Sequence, residues 1–303
     1  MIICAGIFAC TFYVRKMDIF MHIFFGENMI SYRNLRQNLE KMFSEAGIDD
    51  FADIDWIACE ILNTKRSMLP FCEKIDDNQL ELIMEAVQKR LKHIPVAYIF
   101  GKTNFYGYDL VVNENVLIPR LDTEILIEET IKLIKTKKPT TILDIGTGSG
   151  AISIVLNKET GVKTIAVDVS EKALEVAKQN AKLNNADIQF IQSDIFENIA
   201  DLKVDFIISN PPYIETEVVK GLEKEVVQNE PILALDGGID GLNFYKRIIN
   251  EAKSHLNPNG MLIFEIGYNQ ADAVASLLEK DFKDIKVIKD YGGNNRVVIG
   301  ELI

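Results

Sequence analysis

Apolar residues recur along this chain at two different spacings, and the change from one to the other divides it. From Ser31 to about Lys92 the interval is helical: Leu35, Leu39, Met42 and Phe43, then Ile54, Ile57, Ala58, Ile61 and Leu62, then Leu80, Ile83, Met84, Val87 and Leu91. Each set lines one face of a short amphipathic helix. Ala46-Gly47 and Leu69-Pro70 separate the helices, and Ser31 and Asp76 or Asp77 are suited to cap them. Residues 29–92 are therefore expected to form a small helical domain whose apolar stripes are its core.

Between 93 and 118 the composition turns β-rich. Val96-Ala97-Tyr98-Ile99-Phe100-Gly101 and Tyr106-Gly107-Tyr108-Asp109-Leu110-Val111-Val112 predict two strands, with Lys102-Thr103-Asn104 as the turn of a hairpin that links two domains. Pro119 closes this stretch, and Asp122 or Thr123 can cap a helix from Glu124 to about Lys137. After Pro139, apolar runs alternate with amphipathic segments. Strands are predicted at 140–145, 163–168, 187–192, 203–209, 259–266, 284–289 and 294–301, with helices at about 149–157, 171–184, 239–255 and 269–280. Such alternation predicts an α/β fold for residues 119–303, a doubly wound, mostly parallel sheet of seven strands. Gly292-Gly293 is a turn signal that would make the last strand antiparallel.

A chain of 303 residues with 48% hydrophobic content is long enough for both cores. Its formal charge of -12, from 33 basic against 45 acidic residues, weighs against duplex nucleic acid as the main partner, because neutralising phosphates needs a basic surface. Cys4, Cys10, Cys59 and Cys72 form no CxxC pair, and His22, His93 and His255 stand far apart, so no metal site and reduced thiols are expected. Ile2 to Val14 is mostly apolar, but it is too short to span a bilayer and lacks the basic start of a secretory signal. Met29 opens an ordinary domain start. Residues 1–28 are read as an untypical N-terminal extension whose removal should leave activity intact.

The chemistry gathers at predicted strand ends. Ser209-Asn210-Pro211-Pro212-Tyr213 follows the apolar run Val204-Asp205-Phe206-Ile207-Ile208. Two consecutive prolines fix φ twice and remove two backbone donors, which leaves a stiff loop offering carbonyl oxygens and one amide side chain. Ligands of open α/β sheets bind in the crevice outside the strands' carboxyl ends, where this loop would sit. Upstream, Asp144-Ile145-Gly146-Thr147-Gly148-Ser149-Gly150 ends another strand, and its glycines would let backbone approach a ligand closely. The spacing is GxGxG, not the GxGxxG of a dinucleotide site. Asp168 closes the next strand, where a carboxylate can accept both hydroxyls of a ribose. Asp194 follows the third, placed to accept from an adenine amino group, with Ile195 to cover the ring. Each acid could instead cap a helix.

In this order the residues resemble the binding site of class I S-adenosylmethionine-dependent methyltransferases. Asn210-Pro211-Pro212-Tyr213 narrows the likeness to enzymes that methylate a planar exocyclic or amide nitrogen. Phe105-Tyr106-Gly107, Pro119-Arg120-Leu121-Asp122-Thr123-Glu124, Glu230-Pro231 with Ala234-Leu235-Asp236-Gly237-Gly238, and Lys289-Asp290 with Gly293 and Arg296 narrow it again. Together they resemble the peptide chain release factor glutamine N5-methyltransferase family, from about Met29 to the end. Leu121 stands where the family often has a second proline, and Ile195 where an aromatic residue is common.

The resemblance implies S-adenosyl-L-methionine as cofactor, held by Asp144, Ile145, Gly146, Thr147, Gly148, Gly150, Asp168, Asp194, Ile195 and Asn210. It implies release factors as protein substrates, with the glutamine of their Gly-Gly-Gln motif bound by Asn210, Pro211, Pro212 and Tyr213. Asn210, Pro211 and Tyr213 would act in the transfer, and the helical domain and hairpin would grip the protein substrate. A cytoplasmic monomer with no direct nucleic-acid or membrane binding is expected. Arg120 and Glu124 are read as structural, an ion pair beside the cleft, and Glu265 stays outside the site. Three other readings share parts of the pattern: an adenine N6-methyltransferase, an enzyme that methylates a ribosomal-protein glutamine, and a binding module without chemistry.

Overall fold

The structure is a computed structural model that describes residues 30–303. The extension 1–28, with Cys4, Cys10 and His22, lies outside the described residues. The chain divides into two compact units between Ile99 and Phe100.

The first unit contains α1 (Tyr32–Glu45), α2 (Ala52–Leu62), a 3-10 turn (Arg66–Phe71) and α3 (Asp77–Arg90). Ser31 caps α1 by accepting from the Asn34 amide, and Asp76 with Gln79 forms a reciprocal capping box on α3. Leu35, Leu39, Phe43, Ile54, Ile57, Ile83 and Val87 form the buried face, as their spacing predicted. At its centre Asp55 accepts from the Tyr32 hydroxyl and from the Arg36 and Arg66 guanidinium groups. Burial alone would raise its pKa, but these hydrogen bonds hold the carboxyl below its usual range.

The predicted strand over Val96–Phe100 is instead one short helix, α4 (Val96–Phe100). Pro95 starts it, its carbonyl accepting from the Tyr98 and Ile99 amides at 3.0 Å each. Five residues, four of them β-branched or aromatic, are too few for periodicity to separate a strand from a helical turn. The hairpin lies one step further along, as β1 (Lys102–Phe105) and β2 (Tyr108–Val111), so residues expected to turn are a strand. Tyr106 and Gly107, at φ 51° and 84°, make the turn, a two-residue link in left-handed conformation that suits the twist of a hairpin.

The rest of the second unit runs α5 (Thr123–Lys137), β3 (Thr141–Ile145), α6 (Ala151–Thr160), β4 (Lys163–Asp168), α7 (Glu171–Leu183), β5 (Ile188–Gln192) and β6 (Val204–Ser209). Two short helices follow, α8 (Thr216–Val219) and α9 (Lys224–Asn229), which no periodic pattern announced. A 3-10 turn (Ile232–Ala234), α10 (Asn243–His255), β7 (Leu256–Glu265), α11 (Ala271–Leu278), β8 (Phe282–Lys289) and β9 (Asn295–Leu302) complete it. The seven-stranded sheet has the order β5-β4-β3-β6-β7-β9-β8, and β9 runs antiparallel to both neighbours. Strand order reverses between β3 and β6, which opens a crevice at their carboxyl ends.

Alternation along each strand decides what faces what. Leu143 and Ile145 pack with α10 and Phe264, while Ile142, Phe206, Ile208 and Ile263 pack with α5 and α6 on the other face. By the same parity Asp144, Asn210 and Glu265 turn toward the α5 and α6 side. Asn180 of α7, fully buried, ties β2 to the loop after β3: its amide accepts from Val111 and donates to the carbonyls of Val111 and Ser149.

Candidate active site

A cleft opens at the carboxyl ends of β3, β4, β5 and β6. Its wall carries Ile145, Gly146 and Gly148, then Asp168, then Asp194 and Ile195, then Asn210, Pro211 and Pro212. Residues far apart in the chain thus meet along one rim. Asn115 to Leu117, Leu233 and Ala234, and Phe244 of α10 close its sides.

Gly146 and Gly148 hold φ of 74° and 55°, and a Cβ added to either would meet no atom within 4 Å. The space beside their backbone is open to a ligand. Gly150 serves another purpose, since its Cβ would lie 3.2 Å from Ala177 of α7. Asp144 is fully buried and accepts from the hydroxyls of Thr147 at 2.7 Å and Ser153 at 2.5 Å. Burial pushes its carboxyl up to about 6, against the pull of those two hydroxyls. Asp144, Thr147 and Gly150 were expected to touch the cofactor. The structure sets them off the cleft wall, bracing the loop from within, because strand parity turns Asp144 toward α6.

Asp168 accepts from the amides of Gly148 and Ser170, both at 2.9 Å. Burial raises its pKa while these backbone donors oppose the rise. Each oxygen keeps a lone pair for a ligand hydroxyl. Asp194 pairs with Arg247 at 2.9 Å, and that guanidinium lies 5.9 Å over the Phe244 ring. Ile195 borders the cleft while packing into the core, and it holds φ 56°, an unfavourable conformation for a β-branched residue.

Asn210 donates through Nδ2 to the Thr123 hydroxyl at 3.3 Å, which leaves its Oδ1 as an acceptor beside the cleft. Tyr213 does not line the cleft. It is half-buried against the core, with its hydroxyl 3.5 Å from Glu265, so the packing expected against a substrate side chain is directed inward instead. Burial pushes its phenol well up. The loop backbone is clamped from behind. Gln270 donates to the Tyr213 carbonyl at 2.9 Å, Ile214 donates to Leu235 at 3.0 Å, and Gly237 donates to Ile214 at 2.8 Å. Gln270 carried no sequence signal, and Gly237 and Gly238 figured only as part of a motif.

Arg120 pairs with the buried Glu230 at 2.5 Å, not with Glu124, which accepts from the Tyr106 amide at 3.3 Å. Arg296 reaches Asp122 at 3.0 Å, Asp290 at 3.2 Å and the Ile266 carbonyl at 3.3 Å. It thereby ties the start of α5 to the end of β7.

A doubly wound sheet whose strand ends bring Asn210 and Pro211 to one cleft with a glycine-rich turn has the architecture of a class I methyltransferase. The catalytic domain of hMettl16, solved in complex with the MAT2A 3'UTR hairpin 6, shares this fold at a TM-score of 0.52 and 19% identity, over 64% of this chain and 76% of that one. Residues 121–229 match the family model described as Methyltransferase small domain, and residues 34–101 match the PrmC N-terminal domain. The release factor glutamine methyltransferase of Fusobacterium nucleatum is 40% identical over 258 residues, 82% of this chain and 72% of that protein. Those of Geobacter sulfurreducens and Bacillus anthracis are 36% and 38% identical, over 86% and 85% of this chain and 92% and 94% of theirs. The chain belongs to the release factor glutamine methyltransferase family.

Proposed function

We propose that this protein transfers a methyl group to the side-chain amide nitrogen, N5, of the glutamine in the Gly-Gly-Gln motif of peptide chain release factors. The methyl donor in this reading is S-adenosyl-L-methionine, which supplies an electrophilic methyl group on a sulfonium centre. Supporting it is one juxtaposition: Asn210 and Pro211 share a cleft wall with the Gly146–Gly148 cradle and Asp168, in a chain of this family. The residues present fit the donor. Asp168 would accept the ribose hydroxyls, Gly146 and Gly148 leave room for close approach, and Asp194 with Ile195 would take the adenine edge and face.

An amide nitrogen is a weak nucleophile because its lone pair is delocalised into the carbonyl. Asn210 Oδ1 would accept one N–H of the glutamine amide and the Pro211 carbonyl the other, which holds the nitrogen in line for attack. Positioning of this kind removes entropic and reorganisation costs from the barrier. As the N–C bond forms the nitrogen becomes acidic, and its proton leaves past the same acceptors, whose help is greatest in the transition state. The helical residues 29–92 would bind the protein substrate, and the reaction would take place in the cytoplasm, where release factors act. Among the described residues no helix is long and apolar enough to cross a membrane.

The test is mass spectrometry of a release factor incubated with the protein and S-adenosylmethionine, with Asn210→Ala and a DNA substrate as parallel controls. A single methyl on the Gly-Gly-Gln glutamine, absent with Asn210→Ala, is expected. An unmodified release factor beside methylated DNA would replace this reading with the adenine one.

A further inference from the structure

Over residues 220–234, all of them described, a single residue is buried, and it is an acid. α9 buries no side chain, nor does the 3-10 turn at Ile232–Ala234, whose Ile232 and Leu233 are 58% and 56% exposed. Between the two, Glu230 has a fully buried side chain. Surface segments are ordinarily fastened by apolar residues, and a glutamate is buried only where it is paired. Its partner is Arg120, which donates through Nη2 to Oε1 at 2.5 Å, while Oε2 has no hydrogen-bond partner among the described residues. Burial pushes the carboxyl up, with the guanidinium opposing.

The two ends of this ion pair belong to two different walls of the cleft. Pro231, the residue after Glu230, lines it together with Leu233 and Ala234. Asn115, Val116 and Leu117 line it a few residues before Arg120, within the link 112–122 that joins β2 to α5 without helix or strand. Neither wall segment lies in a strand or an α-helix. On each arm a proline, Pro119 or Pro231, fixes φ beside the paired residue, so a displacement at the pair is passed on to the cleft lining.

We propose that Arg120 and Glu230 are positioning residues that join these two walls, so that their ion pair sets how tightly and how long the cleft holds S-adenosyl-L-methionine and S-adenosylhomocysteine. This rests on the reading of the cleft as the methyl-donor site, and it adds what holds the walls together. An apolar anchor could leave the core only by exposing its own surface to water. The pair opens from its other end, because the Arg120 side chain is 43% exposed and water can replace the carboxylate around it. Glu230 then stays buried without a partner, which drives the contact to re-form. Such a contact lets a product leave once per turnover and closes again behind it.

Calorimetry with S-adenosylhomocysteine and the dissociation rate of the radiolabelled compound, both on the full chain, test the proposal without turnover. Arg120→Gln is expected to weaken the Kd by about 10-fold, chiefly through faster dissociation, with kcat at saturating donor and release factor within about threefold of the parent. Glu230→Gln should do the same. Because both remove one contact, the double variant should bind no more than about threefold more weakly than either single one. Arg120→Lys keeps the charge and should restore the Kd to within about threefold of the parent. An Arg120→Gln protein with the parent Kd and dissociation rate would overturn the proposal, as would a double variant whose loss is the product of the single losses. Should Glu230→Gln fail to fold, Arg120→Gln against Arg120→Lys decides, and a lysine variant as impaired as the glutamine one overturns the proposal. A parent chain that binds no S-adenosylhomocysteine would remove the donor reading itself, and this one with it.

Discussion

In the loop after β3, a Cβ added at Gly146 or Gly148 would meet no atom within 4 Å. Behind the loop after β6, a Cβ at Gly237 would fall 2.7 Å from the Tyr213 Cα, and one at Gly241 would fall 2.4 Å from the Tyr213 carbonyl oxygen. Both loops end neighbouring strands of one sheet and both need glycine, for opposite reasons. The first pair leaves room for something that is not protein. The second lets the protein close on itself, so that backbone presses against backbone and the Asn-Pro-Pro-Tyr loop is held from behind. A binding loop keeps its free space, and a positioning loop uses it up.

Substitutions at the two loops should therefore fail in different ways. The largest effect is expected from Asn210→Ala, which should lower kcat by about 100- to 1000-fold with cofactor affinity retained, while Asp168→Ala does the reverse and weakens the cofactor Kd. Equal loss of cofactor in both, by calorimetry, would erase the distinction. Next comes Gly241→Ala. Its Cβ has no room and its φ is 68°, so about 2–4 kcal/mol of stability should be lost in denaturant titration, with activity falling as the loop shifts.

The acid behind the glycine loop predicts a pH dependence. Burial holds the Asp144 carboxyl at about 6, above its ordinary 3.8, so the native state binds a proton more tightly than the unfolded chain. Stability from this group is full below the lower value and is lost as pH rises toward about 6. The parent-minus-Asp144→Asn stability difference should thus decline between those values, by at most about 3 kcal/mol, and level off above. A difference independent of pH would mean that Asp144 is not strained by burial. The smallest effect belongs to Gly146→Ala. With open space beside it, only the φ of 74° is penalised, so about 1 kcal/mol of stability and a few-fold in cofactor affinity should go. A larger loss than at Gly241 would invert the comparison.

The apolar spacing carried the sheet almost whole. Strands predicted at 163–168 and 203–209 are observed at Lys163–Asp168 and Val204–Ser209, because a strand buried on both faces is a continuous apolar run that little else imitates. The Gly292-Gly293 signal also led to the antiparallel last strand, with Gly293 at φ 85°. Short elements were not legible. The helix at Val96–Phe100 resembles a strand in composition, and α8 and α9 are too brief to show a period.

Candidate residues on the cleft rim were legible because each sits at or just past a predicted strand end, where chain order and position in space coincide. Asn210, Asp168 and Asp194 follow from that alone. What lies behind the rim was not. Thr123 meets Asn210 across 87 positions, Gln270 meets Tyr213 across 57, and Arg247 meets Asp194 across 53. A pairing at such separation leaves no periodic trace and has no local spacing to read. By itself the sequence determined the order of the strands' signals, the stiffness of the proline loop and the chemical types at each strand end, since these depend on neighbours in the chain. Only the tertiary structure decided which face each of those residues turns to. Strand parity sends Asp144 away from the cleft, and packing of α5 against β6 and β7 sets the Thr123 hydroxyl against the Asn210 amide.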